Sequence, residues 1–162
     1  DGGRVLIGEN YSTATESIRI KKCVIHPEYN PSKSFFENDL AIVILEHNLP
    51  KKVKVESINI DVDLTVGDTL DRVGFGERDN KNIRTWTNPT FKERTFNKKN
   101  YILKDERSVI GDSGGPIFKR ENGKSSLVGI HSTLEGTDKT YIVNISPYIS
   151  WIEANRSLRK LA

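Results

Sequence analysis

Eight short runs rich in β-branched and aromatic residues constrain the fold of this chain more than any other feature. They are "RVLIG" (4–8), "SIRIKKCVI" (17–25), "LAIVIL" (40–45), "TLDRVGF" (69–75), "YILK" (101–104), "PIFK" (116–119), "SLVGIHS" (126–132) and "TYIVNI" (140–145). Gly, Asn, Asp and Pro punctuate them, the pattern of strands separated by turns. Many short strands without alternating helical segments predict an all-β, antiparallel sandwich or barrel instead of βα units. The tail, "SPYISWIEANRSLRKLA", is the exception. Ser146 reads as a capping residue and Pro147 as a first-turn residue. Ile149, Ile152, Leu158 and Leu161 follow at helical spacing, and Arg156, Arg159 and Lys160 suit a helix C-terminus, so a helix is expected over 146–162. The charged stretch 48–66 starts at a Pro turn and reads as a connection between two halves.

A chain of 162 residues can bury a real core, and a hydrophobic fraction of 35% is lean without being that of a disordered segment. The formal charge of +3 comes from Lys and Arg spread along the chain, with no clustered basic face and no stacking aromatics, so nucleic acid is not an expected partner. No apolar run approaches the roughly 18 residues that span a bilayer, so no membrane partner is expected either. Asp1-Gly2-Gly3 carries no signal peptide and reads as an internal start of a soluble chain. A single cysteine, Cys23, excludes an internal disulfide and reads as a small buried apolar side chain.

The stretch "GDSGGPIF" (111–118) carries chemistry. Attack of a serine oxygen on a carbonyl puts negative charge on the carbonyl oxygen, and backbone N–H groups aimed there stabilise it by about 3 kcal/mol each. With Ser113 as the attacking group, Gly111 would supply one such donor and Ser113 the other; glycine lets the backbone open and substrate approach closely. Asp112 then needs a cationic partner or several donors, because a buried unpaired carboxylate is costly. A plain Gly-rich hairpin turn would need only one or two of these residues.

These residues resemble those of the chymotrypsin-like (trypsin-fold) serine proteases. "GDSGGP" is similar to the family's nucleophile motif, and "IHPEYNP" followed by "ENDLAIVILEHNLP" resembles the segment carrying the triad aspartate, here Asp39. "VGFG" (73–76) is similar to a Gly-aromatic-Gly strand end, and "LVGIHS" with "TYIVNISPYISWI" resembles the substrate-edge strand, closing strand and final helix. The resemblance covers nearly the whole chain. It implies two antiparallel β-barrels, the first incomplete in residues 1–47, a connection over 48–66, a C-terminal barrel over 67–145 and the helix over 146–162. It implies Ser113 as nucleophile, Gly111 and Ser113 as oxyanion donors, Asp39 as the carboxylate that orients the base, and Ser132 as a hydroxyl on that carboxylate. Residues 132–134, with Thr133 and Leu134, would pair with the backbone of a polypeptide substrate as an added strand. No cofactor and no metal is implied.

The triad also needs a histidine to take and return the serine proton. In the family it lies in an Ala-His-Cys context upstream of everything present here. His26 belongs to a stretch that the family carries on its surface, His47 to a polar turn, and His131 to the substrate-edge strand. Asp1 does not resemble the apolar N-terminus that inserts to pair Asp112. The expectation is therefore that the base comes from a separate N-terminal chain or segment packing against residues 1–45, and that the isolated chain is inactive. The loop 77–110 lacks the family's intermediate helix and cysteine pairs, which resembles the compact, disulfide-poor bacterial branch. Within it, "GIHST" is similar to glutamyl endopeptidases and exfoliative-toxin-like proteases, whose histidine lines the specificity pocket. Counting back from Gly111 puts Arg107 and Ser108 at the pocket floor. Together with His131 they would favour Glu, or Asp, before the scissile bond, while Leu134, often glycine in the family, narrows the pocket. Secretion or a periplasmic location, with zymogen activation, is what the family implies. The competing expectation is a catalytically inactive homologue acting as a binding or regulatory module.

Overall fold

The computed structural model describes residues 2–32, 36–59 and 61–156. Three strands, β1 (Arg4–Ile7), β2 (Glu16–Ile25) and β3 (Ala41–Leu45), form an antiparallel sheet in the order β1-β2-β3. A pair, β4 (Ser57–Ile58), then lies parallel to the larger sheet. The remaining strands are β5 (Asp71–Gly74), β6 (Thr85–Thr87), β7 (Thr90–Arg94), β8 (Asn100–Lys104), β9 (Pro116–Glu121), β10 (Lys124–Glu135) and β11 (Lys139–Asn144), ordered β6-β5-β9-β10-β11-β8-β7. This sheet closes on itself. Thr69 bridges Thr90, the Leu70 N–H donates to Pro89 O at 2.9 Å, and the Phe91 N–H donates to Asp68 O at 2.9 Å. The β6–β7 segment is thus one strand interrupted at Asn88-Pro89, and the whole is a six-stranded antiparallel barrel beside a curled half-barrel. The expected all-β, two-barrel architecture is the one observed.

All eight runs read from the sequence form strands, but β4, β6 and β7 were not foreseen. "TWTNPTFKER" is polar and broken by Pro89, which has no N–H for a ladder, so its strand character comes from pairing with β5 and β8. Leu64, Leu70, Phe91, Tyr101, Leu103, Ile117, Val128 and Ile142 fill the barrel. Each fully buried Leu or Ile contributes about 1.5–3 kcal/mol. Residues 70, 72 and 74 share the inner face of β5 by the period of two, so Arg72, 1% exposed, points into the barrel beneath Leu70 and Gly74.

The last described elements are a turn of 3₁₀ helix, Ser146–Tyr148, and α1 (Ile149–Arg156), which follows it directly. Ser146 is not a side-chain cap. Ile145 occupies the cap position, and the Ser146 N–H instead donates to Asn144 Oδ1 at 3.2 Å. Leu158, Arg159, Lys160 and Leu161 lie outside the described residues. The helix buries Tyr148 against Leu40 and Val143, with Trp151 and Ile152 alongside, and so joins the small sheet to the barrel. Cys23 also departs from expectation: it is exposed. It pairs across the sheet with Val43 and shares its face with Ile25, which are 44% and 62% exposed, so this face of the small sheet is apolar and open.

Candidate active site

The ladder between β9 and β10 runs on past Pro116. The Gly114 N–H donates to His131 O at 2.8 Å and the His131 N–H to Gly115 O at 2.9 Å. Ser113 therefore sits, exposed, at the tip of a turn whose far side is pinned to β10. On the near side Gly111 has φ 98, and a Cβ there would stand 3.1 Å from Gly76 Cα, so a side chain at this position would be strained and crowded. The N–H groups of Asp112, Gly114 and Gly115 are all bonded to carbonyls, whereas among the described residues no acceptor takes those of Gly111 and Ser113. Gly111 and Ser113 are the pair that the sequence reading names as oxyanion donors.

A bulge in β10 between His131 and Thr133 makes the next layer. Regular alternation would turn one of His131 and Ser132 outward; the extra residue lets both be buried, at 2% and 8% exposure. Ser132 O then accepts the Ser113 hydroxyl at 3.0 Å, and Ser132 Oγ donates to Asp39 Oδ2 at 2.6 Å. The structure thus brings Ser113, Ser132 and Asp39 into one chain. Asp39 is aimed by Asn38, whose φ of 57 turns the backbone into β3. Tyr148 locks that turn: its hydroxyl donates to Asn38 Oδ1 at 2.9 Å and accepts the Asn38 N–H at 3.2 Å. Asn100 Nδ2 donates to Phe36 O at 2.8 Å on the same seam.

Asp112 is 1% exposed and fully partnered. Its Oδ2 pairs with Arg72 and accepts from Arg78 Nη2 at 2.7 Å and the Val109 N–H at 3.0 Å; its Oδ1 accepts from the Gly76 N–H at 3.0 Å and Arg78 Nη1 at 3.3 Å. A Cβ on Gly76 would fall 2.7 Å from Oδ1, which explains the second glycine of "VGFG". Burial pushes this carboxyl up, but the hydrogen bonds of Arg78, Val109 and Gly76 and the charge of Arg72 outweigh it and hold it at about 2. The two arginines are the site residues that the sequence reading missed. The signal was there, since a buried aspartate demands cations and "DRVGFGER" flanks the glycines with them.

Ser108 Oγ lies 2.8 Å from His131 Nε2, so the structure brings these two predicted pocket residues together. The Arg107 side chain is exposed and lines a separate cavity of about 310 Å³ with Asn88 and Glu106; among the described residues no ion pair or hydrogen bond joins it to Ser108 or His131. Its backbone does reach the site, its N–H donating to Asp105 Oδ1 at 3.1 Å and its carbonyl accepting from Arg78 Nη2 at 2.8 Å. Thr133 is half-buried and Leu134 is 37% exposed at the end of β10. Burial, with the charge of Arg72, lowers His131 from 6.5 to about 4, so the ring is neutral at neutral pH. The native state then binds fewer protons than the unfolded chain between those values, and stability is lost as pH falls from 6.5 towards 4. His26, lowered by its own burial, acts in the same direction. Urea midpoints measured across this range are expected to fall with pH, and His131→Gln to remove part of that slope; an unchanged slope would contradict a buried neutral ring.

A family model described as Trypsin matches residues 3–152. The chain belongs to the trypsin family. Granzyme B(G,H) of Mus musculus is 28% identical over 164 residues, covering 84% of this chain; the chain spans 62% of that relative's length. Within this trypsin-family frame the three histidines have distinct places. His26 is buried, not on the surface: its ring packs edge-on against Tyr148 and Trp151 at 5.1 and 4.8 Å, and its Nδ1 accepts the Glu28 N–H at 3.2 Å. His47 is exposed beside Leu49 and Arg156. His131 is committed to Ser108. Among the described residues, none of the three hydrogen-bonds Ser113 or Asp39.

Proposed function

We propose that this chain is the larger part of a serine endopeptidase that cleaves peptide bonds through an acyl-enzyme on Ser113. The link Ser113–Ser132–Asp39 carries the reading. A nucleophile and a carboxylate from different barrels meet through one residue of the substrate-edge strand, the pairing that a triad imidazole would bridge. That imidazole comes from a chain or segment outside these residues. Two observations support its docking on the small sheet: the open apolar face of Cys23, Ile25 and Val43, and the proximity of β3 to Asp39. The isolated chain is inactive on this reading, and secretion or periplasmic export with zymogen activation follows the family habit. The chain divides at 1–47, 48–66, 67–145 and 146–162 as the sequence suggests. The experiment is fluorophosphonate labelling of the full-length protein, with the adduct mapped to Ser113. A protein that carries the histidine segment yet takes no label would instead be the inactive binding module.

The pair Ser108–His131 supports a preference for Glu before the scissile bond. With the ring N–H on Nε2 donating to Ser108 Oγ, the hydroxyl is left free to donate to a carboxylate, and the arriving charge favours protonation of the ring. Arg107 contributes through its backbone, and Thr133 and Leu134 flank the substrate strand. In a peptide panel Glu is expected to lead, with His131→Val lowering kcat/KM for Glu by about 10–100-fold, as expected for one lost charge-assisted contact of about 1.5–3 kcal/mol, while sparing an Ala substrate. Arg or Phe outperforming Glu would sink this preference.

A further inference from the structure

We propose that Arg78 is a positioning residue for the Gly111–Ser113 backbone, a side-chain clamp that keeps the two free N–H donors beside Ser113 in the conformation that receives a developing oxyanion. This rests on the hydrolase reading of the same turn.

Asp112 lies between the two donors, so the position of its carboxylate sets the peptide planes on both sides. Two guanidiniums hold it, and they differ in kind. Arg72 projects from the inner face of β5 and is shared with Asp105, its Nη2 donating to Asp105 Oδ1 at 3.0 Å, so it belongs to the barrel floor. Arg78 comes from the hairpin after β5, its side chain is 21% exposed, and it joins three separate pieces of chain: Gly76 O at 3.2 Å, Arg107 O at 2.8 Å and both oxygens of Asp112. It touches the strand end, the pocket segment and the nucleophile turn together.

The hairpin that carries Arg78 is itself fixed. Arg78 and Lys81 exchange backbone hydrogen bonds at 3.0 Å, Asn82 Nδ2 donates to Phe75 O at 2.9 Å, and the Tyr11 N–H donates to Asn82 O at 3.0 Å. Arg84 adds an ion pair to Glu9 at 2.6 Å. Residues 9–11 lead out of β1, so the small sheet reaches the oxyanion turn through Arg78. Side chains of this chain thus hold that turn through Asp112.

The test compares full-length wild type with Arg78→Met, Arg78→Gln and Arg78→Lys, by kinetics on a peptide ester and by amide hydrogen exchange of peptides covering 107–115. Met and Gln are expected to lower kcat by about 10–100-fold, approaching the loss of one oxyanion donor, with KM little changed. Both are expected to speed exchange in 107–115 while β10 and β11 stay protected, and Lys to recover most of both effects. Gln keeps the polar reach and reports the same if Met does not fold. Wild-type exchange in 107–115 in either variant, or equal losses in kcat and in 1/KM, overturns the clamp. A wild type that no fluorophosphonate labels overturns the hydrolase reading instead, and exchange then still decides the clamp.

Discussion

Ser113→Ala in the full-length protein is expected to lower kcat on a peptide substrate by about a million-fold and to abolish fluorophosphonate labelling, the scale seen when an activated nucleophile is removed. The fold should not notice. Ser113 is exposed and donates a single hydrogen bond, to Ser132 O, so the unfolding free energy should move by no more than about 0.5 kcal/mol. Asp39→Asn tests the other end of the chain. Ser132 Oγ donates to Asp39 Oδ2, and an amide in place of the carboxylate withdraws the charge that would stabilise an imidazolium, for an expected loss of about 10⁴-fold in kcat. Residual activity within tenfold of wild type in Ser113→Ala would remove Ser113 from the chemistry.

Arg72→Met is expected to be the most destabilising single change in the barrel. The guanidinium is 1% exposed and faces the carboxylates of Asp105 and Asp112. Among the described residues, removing it leaves Asp105 with only the Arg107 N–H and the Thr140 hydroxyl, the latter at 3.4 Å, and no cation. Breaking a buried pair in this way costs about 3–5 kcal/mol, or about 10 °C in Tm for a chain of this size. The sign with pH is fixed. Asp112 titrates at about 2 in the native state against 3.8 in the unfolded chain, so its pairing stabilises above 3.8 and is lost as pH falls towards 2. The penalty of Arg72→Met should therefore shrink on acidification, as protonation relieves the carboxylates left behind. Asp105→Asn in the same background should restore part of the stability. A loss under 1 kcal/mol at neutral pH would mean that the carboxylates find other partners.

The turn and the strands were legible because their causes are local. Gly111, Gly114 and Gly115 announce backbone geometry that other residues resist, and β-branched runs announce strands. The contact of Ser132 with Asp39 was legible only through resemblance, since 93 positions separate them and the bulge that aims Ser132 is a property of the pairing with β11. Cys23 and Ser146 were misread for a related reason. Which face of β2 is covered depends on what lies against the sheet, and Asn144 reached the Ser146 N–H before Ser146 itself acted as a cap. His26 was misread because its covering partners, Tyr148 and Trp151, come from the far end of the chain. Pro89 hid the strand that closes the barrel. Arg72 and Arg78 went unread because the carboxylate they share, Asp112, lies 40 and 34 positions away.

The seam around Asn38 has a mechanical meaning. Asp39 belongs by sequence to the small sheet, yet Tyr148, Asn100 and Ser132, which fasten it and its neighbours, all belong to the larger body. The Asp39 carboxylate is consequently fastened to the same body that carries Ser113. On the proposed reading, a segment that brings the base would find the separation between Ser113 and Asp39 already set through Ser132.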